Sequence, residues 1–271
     1  MKMKLPKLSL KKSAPFLFAL LFSLSSLDSF SQNDNLFAIV DYMKTKPGQE
    51  WHYVELEHNF WKQVHQARAD NGDIVAWLFY RIRYTATSDP YNYATVTIFN
   101  NPEKLENPWS VDPITVHPDK DVEAVNTDTE ESRDLVTRNL LYRQDYIPMP
   151  PDSTEPKFVQ VDYMRVKQGE DGEYLKMEDQ VWKPIHEQFI KAGTRAGWSL
   201  WGRVYPSGYG LDYQYITVND FKDFSQLGQA DYNAAMKAAH PGEDMGKISQ
   251  ETNETRELVR SELWELIDAV Y

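Results

Sequence analysis

From Leu36 to Lys44 apolar and polar residues alternate as in a strand, and the run stops at Lys46-Pro47-Gly48. Over about 48–71 the period changes to a helical one. Tyr53, Leu56, Glu57, Phe60, Trp61, Val64 and His65 share one stripe, and Gly72 stands where a helix C-terminal glycine belongs. Ile74–Tyr84 and Tyr91–Asn100 return to strand character and read as a hairpin joined by Thr85–Pro90. Helical turns broken at His117-Pro118 follow, then a helix near 121–136 and a last strand over about 137–146.

The same series occurs twice. Val40-Asp-Tyr-Met-Lys44 recurs as Val161-Asp-Tyr-Met-Arg165, a shift of 121. That shift also pairs Tyr53 with Tyr174, Glu57 with Glu178, Trp61 with Trp182, His65 with His186 and Trp77 with Trp198. A shift of 122 pairs Arg81 with Arg203, Tyr91 with Tyr213, Tyr93 with Tyr215 and Thr95 with Thr217. A shift of 123 pairs His117-Pro118 with His240-Pro241 and Arg133 with Arg256. Single-residue slips of this kind are expected at loops and bulges, and Gly202 lies at one of them. The second last strand falls at about 260–270, and the Pro-rich segment 148–156 reads as a linker. The organisation expected is 1–31 signal peptide, 32–147 first repeat, 148–156 linker and 157–271 second repeat.

Residues 1–31 carry five Lys, an apolar run from Pro15 to about Leu24, and small residues at Ser29 and Ser31. That order predicts a secretory signal peptide cleaved before Gln32 and a periplasmic or secreted chain without a membrane anchor after cleavage. The apolar run is short for a bilayer span. The full chain of 271 residues has a net charge of −12; losing residues 1–31 removes five Lys and one Asp, a net +4, and leaves −16. So acidic a chain lacks the basic surface that nucleic acid or anionic lipid requires. With no Cys, disulfides, thiolate chemistry and Cys-ligated metals are excluded. No Gly-rich phosphate loop, GxSxG, HExxH or EF-hand loop occurs.

The β-α-β-β-α-β order, met twice, resembles the dimeric α+β-barrel superfamily in a tandem-duplicated, exported form. The resemblance rests on element order and duplication and covers nearly all of the mature chain. It implies an α+β fold in which two tandem ferredoxin-like (βαββαβ) halves form an intrachain pseudo-dimeric barrel with helices outside. Members include antibiotic-biosynthesis-type monooxygenases, haem-degrading oxygenases, chlorite dismutase-like haem proteins, small isomerases and stress-response proteins, so the fold selects no reaction. What it implies is a pocket between sheet and helices in each half.

Within that frame the residues point to two kinds of role. His65 and His186 suit proton transfer, and Asp41 and Asp162 are carboxylates on strand faces otherwise apolar, which marks all four as catalytic candidates. Glu57, Trp61, Arg81 and His117, with Glu178, Trp182, Arg203 and His240, are candidate ligand-binding residues. Arg81 or Arg203 on the second strands, or Arg133 or Arg256 on the last helices, are available partners for the Asp residues. A haem or a His/carboxylate-bound metal is compatible with these side chains. The tyrosines of Tyr91-x-Tyr93 and Tyr213-x-Tyr215 are expected on one strand face. The readings in play are an oxygenase- or isomerase-like enzyme or binding protein for a small molecule, a non-catalytic structural or interaction protein, and a haem or aromatic-ligand binding module.

Overall fold

The computed structural model describes residues 35–150 and 154–271; the signal-peptide segment, the cleavage position and residues 151–153 of the linker lie outside the described residues. The elements run β1 (Phe37–Thr45), α1 (Glu50–Leu56), a π-helical turn (Glu57–Trp61), α2 (Lys62–Asp70), β2 (Ala76–Ile82) and β3 (Tyr93–Phe99). A 3-10 turn (Pro102–Leu105), α3 (Pro113–Val116), α4 (Val122–Ser132) and β4 (Arg133–Ile147) follow. Then come β5 (Phe158–Val166), α5 (Asp171–Met177), a second π-helical turn (Glu178–Trp182), α6 (Lys183–Lys191), β6 (Gly197–Tyr205) and β7 (Tyr215–Phe221). The chain ends with a 3-10 turn (Phe224–Gln226), α7 (Tyr232–Ala239), α8 (Met245–Thr255) and β8 (Arg256–Val270).

The eight strands close into an antiparallel barrel in the order β1-β3-β2-β8-β5-β7-β6-β4. Two sets of four strands share one internal order, β4-β1-β3-β2 and β8-β5-β7-β6. They are joined edge to edge by the β2–β8 and β4–β6 ladders. Closure leaves no free sheet edge. The described residues accordingly form one compact unit.

Strand alternation divides the core. One set of side chains fills the barrel, among them Val40, Tyr42, Tyr80, Tyr91, Val161, Tyr163, Trp201, Tyr213 and Trp264. The other set faces outward under the helices. Tyr53 of α1 packs there on Trp77, Phe79 and Tyr93, and Tyr174 of α5 on Trp198 and Leu200. Among the described residues no helix is long and apolar enough to cross a membrane.

Three expectations need correction. The last helices end at Ser132 and Thr255, so Arg133 and Arg256 open the long strands β4 and β8 instead of closing a helix. Tyr91 and Tyr213 point into the barrel while Tyr93 and Tyr215 point outward. The cause is the intervening residue. Asn92 bonds back to Thr45 through both its amide oxygen (3.0 Å) and nitrogen (2.7 Å), and the Gln214 side chain accepts from the Val166 N–H at 3.0 Å, so both chains turn aside before the strand begins. The β4–β6 register slips on either side of Gly202, at Val204 on β6 and at Gln144 on β4, and not at Gly202 itself; Gly202 is closely approached by Gln144 and Tyr215, leaving little room for a Cβ.

Candidate functional site

Each half carries a cleft between its sheet and its helices, of about 180 Å³ in the first half and 210 Å³ in the second. The first is lined by Asp41, Glu57, Trp61, His65, Trp77 and Arg133, among others. The second contains Asp162, Glu178, Trp182, His186 and Arg256. Eight of the twelve sequence-proposed residues thus converge, four in each cleft.

Two backbone irregularities, each present in both halves, build the clefts. In an α-helix, four-residue steps drift by roughly 40° each. The wider π-helical turns at Glu57–Trp61 and Glu178–Trp182 absorb that drift, so that Glu, Trp and His four residues apart all meet the cleft. The second irregularity is a bulge. The β1–β4 register slips between Tyr42 and Met43, and the β5–β8 register between Tyr163 and Met164. Each slip inserts one extra residue, Val136 or Val259, and reverses the alternation beyond it. Leu135 and Arg138 therefore share the first cleft although three residues apart, as do Leu258 and Ser261 in the second.

Glu57 and Glu178 are buried, at 5% and 2% exposure. Burial pushes Glu57 up to about 7; the Tyr53 hydroxyl and Arg133 pull it down, and Asp41 adds to the rise. Glu178 is likewise pushed up to about 7 by burial, with Arg256 and Tyr174 opposing. These two carboxyls exchange protons near neutral pH.

His65 and His186 are buried and stacked on Trp77 and Trp198, with ring centroids 4.7 and 5.0 Å apart. Arg68 Nη1 lies 2.7 Å from His65 Nδ1, and Arg195 Nη1 meets His186 Nδ1. A guanidinium only donates, so Nδ1 accepts and the proton of each neutral imidazole sits on Nε2. Burial, then the adjacent Arg charge, holds both imidazoles well below the usual range. Each ring therefore has its Nδ1 engaged by a guanidinium and its Nε2–H left as a donor.

The two Asp residues have diverged. Arg138 grips Asp41 with both donors, at 2.6 and 2.8 Å. Asp162 has no cation; it accepts from Gln160 (2.8 Å), Asn219 (2.9 Å) and the Ser261 hydroxyl. Neither is served by the second-strand arginines, which lie outside the clefts. Arg81 donates to the Tyr93 hydroxyl at 3.0 Å and sits 3.6 Å from Glu50; Arg203 bonds the Tyr213 carbonyl and pairs with Asp212 at 3.5 Å. His117 and His240 lie outside too. Their Nε2 atoms bond the Phe60 and Val181 carbonyls at 3.1 and 3.0 Å, tying α3 and α7 to the π-helical turns.

A haem does not suit these residues. His117 and His240 have spent Nε2 on carbonyls, His65 and His186 are flanked by guanidinium groups, and each cleft is small for a porphyrin. Among the described residues no group of three or more His, Asp or Glu is placed to hold a metal ion.

Arg133 and Arg256 are the cleft residues whose part the sequence concealed. Neither side chain makes a hydrogen bond or ion pair with any described residue, although Arg256 lies over the Trp182 ring at 5.8 Å, and the Nε of each is buried without an acceptor. Their pairing at the 123 shift was the available signal. Arg68 and Arg195 carried none, because they occupy unrelated positions in the two repeats.

No family model and no curated protein sequence matches the chain. Among solved structures, it is similar to a protein named "Putative monooxygenase" from Fusobacterium nucleatum subsp. nucleatum, with a TM-score of 0.57 and 12% identity over 87% of this chain and 94% of that one. It is also similar to a "putative monooxygenase" from Lactobacillus acidophilus NCFM, with a TM-score of 0.51 and 7% identity over 87% of this chain and 95% of that one. The chain shares the fold of both, here a closed eight-stranded antiparallel barrel with helices packed on it. At such identities the likeness is one of fold, and the site must carry the function.

Proposed function

We propose that this is an exported protein that binds a small organic molecule in each of its two clefts and transfers a proton to or from it. The mature chain would begin at Gln32, after a signal peptide, and its two halves would descend from a tandem duplication. The observation that carries the functional reading is the repeated buried carboxyl, Glu57 and Glu178, each pushed up to about 7 beside a cleft. A carboxyl tuned to neutrality inside an apolar wall suits general acid–base chemistry, as in isomerases or oxygenases that begin by deprotonating carbon.

The surrounding groups support this. Trp61 and Trp182 wall the clefts, each with its indole N–H on a threonine hydroxyl, Thr129 at 3.0 Å and Thr252 at 3.2 Å. The His N–H donors stand ready to bond a ligand oxygen on which charge develops. Asp41 and Asp162 shape the polar side of each cleft rather than exchanging the proton themselves.

The test is binding followed by exchange. A panel of small acids, ketones and phenols is screened by thermal shift against the mature chain. Hits are then followed by NMR for deuterium exchange at an acidic C–H. Exchange with wild type and its loss in Glu57→Gln/Glu178→Gln are expected. Absence of any saturable binder, with Gln variants that differ only in stability, would leave a structural protein.

A further inference from the structure

The unpartnered guanidinium groups say what kind of molecule the clefts take. Arg133 and Arg256 stand at repeat-related positions, each the first residue of a long strand, and both line a cleft. An arginine on a protein surface satisfies itself with water. These two have Nε buried from solvent with no acceptor, an arrangement that costs stability unless something completes it. The nearest acid of each cleft helix, Glu57 or Glu178, is held near neutrality by burial and supplies only part of a countercharge. Of the other cleft carboxylates, Asp41 is spent on Arg138 and Asp162 on Ser261, Asn219 and Gln160, while Glu130 at the edge of the first cleft is exposed and makes no ion pair with Arg133. The same missing acceptor at two sites, whose other polar residues have diverged, is a property of the site and not an accident of one.

We propose that each cleft binds a small organic carboxylate, its two oxygens on the guanidinium of Arg133 or Arg256 and its flat apolar body against the tryptophan wall. This rests on the small-molecule reading above and names its ligand class. The planar fork of five N–H donors matches a carboxylate bidentately, which a point charge would not. Size agrees. A cavity of about 150 Å³ holds a benzene ring, and the clefts offer about 180 and 210 Å³. Trp61 with Trp109 edges the first cleft, their ring centroids 6.0 Å apart, and Trp182 with Tyr232 lines the second. The His Nε2–H then faces a substituent on the ring. A second negative charge beside Glu57 or Glu178 favours its neutral form, so binding near pH 7 takes up protons.

Benzoate is the probe, with benzamide and benzyl alcohol as neutral matches, each titrated calorimetrically into the mature chain. Runs in phosphate and in Tris read the protons exchanged. Expected are two benzoates per chain, net proton uptake, and at least ten-fold weaker binding of both neutral compounds. Arg133→Gln and Arg256→Gln should each abolish one site and leave the other. Each should change the melting temperature little, because the guanidinium removed makes no hydrogen bond or ion pair and Arg256 only overlies the Trp182 ring at 5.8 Å; Arg133→Lys and Arg256→Lys, which keep the charge but lose the fork, should weaken their site about ten-fold. If the neutral compounds bind as well as benzoate, or the Gln variants bind it unchanged, the carboxylate assignment falls and the small-molecule reading stands. If none of the three binds and the broader screen is also blank, both fall.

Discussion

The hydroxyls of Tyr42 and Tyr163 lie 3.2 Å apart inside the barrel, and the two residues hold the same place in the two repeats. The proposed tandem duplication, with its halves exchanged by a pseudo-twofold axis, requires such a contact near that axis. The contact also has a direction. Tyr163 gives its proton to Glu262 at 2.7 Å, which leaves Tyr42 to donate to Tyr163. Glu262 gathers further donors from Tyr91, Trp264 and Arg260 at 2.7, 2.9 and 2.9 Å. The interior is thus a polar network set in aromatic packing, satisfied from both halves.

That direction predicts unequal costs for chemically identical substitutions. Tyr42→Phe removes one neutral hydrogen bond and should cost about 1 kcal/mol. Tyr163→Phe removes a donor to the half-buried Glu262 carboxylate as well and should cost about 1–3 kcal/mol. Urea unfolding of both variants measures the difference; equal costs would show that Tyr163 does not donate to Glu262.

A second prediction follows from closure of the barrel. The β2–β8 ladder runs from Trp77↔Val270 to Ile82↔Trp264, and the β4–β6 ladder from Leu140↔Tyr205 to Ile147↔Trp198. Parting the halves breaks both ladders and opens a shared interior lined by Tyr42, Tyr163, Trp201 and Trp264. Fragments 35–147 and 157–271 should therefore be unfolded or self-associated alone, and should recover native circular dichroism when mixed. A fragment that unfolds cooperatively as a monomer would contradict this.

Stability should fall as pH rises through the weakly acidic range. Folded Glu57 and Glu178 keep a proton to about 7, against an ordinary value of 4.5. Between those values the native state binds more protons than the unfolded one. The contribution is complete below about pH 4.5 and is lost as pH approaches 7, on the order of 3 kcal/mol per carboxyl. His65 and His186 act in the opposite sense: held neutral in the fold, they cost stability only as pH drops below 6.5. Unfolding free energies at several pH values between 4.5 and 7.5 should slope less steeply in Glu57→Gln/Glu178→Gln. Asp220, pushed up to about 7 by burial, leaves a residual slope.

How much of this could be read in the sequence depends on whether a feature leaves a periodic trace. The element order follows from hydrophobic period, and the Glu57-Trp61-His65 row follows from spacing along one helix. The last strands are legible but their first residues are not, because Arg133–Thr137 and Arg256–Arg260 lack clean alternation: the bulges at Val136 and Val259 break it. For the same reason Arg138 and Leu135 do not look like neighbours. Arg81 and Arg203 looked suitable by charge and strand, yet they sit where Tyr93, Glu50 and Asp212 use them.

The arginines beside the two histidines supply the sharpest test of whether the clefts were kept for a purpose. His65 receives its guanidinium from Arg68, three residues along the same helix, and His186 receives one from Arg195 before β6. At the shift of 121, Arg68 corresponds to Phe189 and Arg195 to Ile74. The halves have exchanged which residue bears the charge while keeping the charge on Nδ1, something that recent copying alone does not produce. Arg68→Phe should leave the buried Nδ1 without a donor and cost about 1–3 kcal/mol. It should also shift His65 to a mixture of tautomers, visible in the nitrogen-15 shifts of the ring. Adding Ile74→Arg installs the second half's arrangement in the first. The double variant should restore the Nε2–H tautomer and regain part of the stability. If Ile74→Arg instead worsens Arg68→Phe, the two arrangements are not interchangeable, and the pairing of Arg with His is a packing consequence of each half by itself.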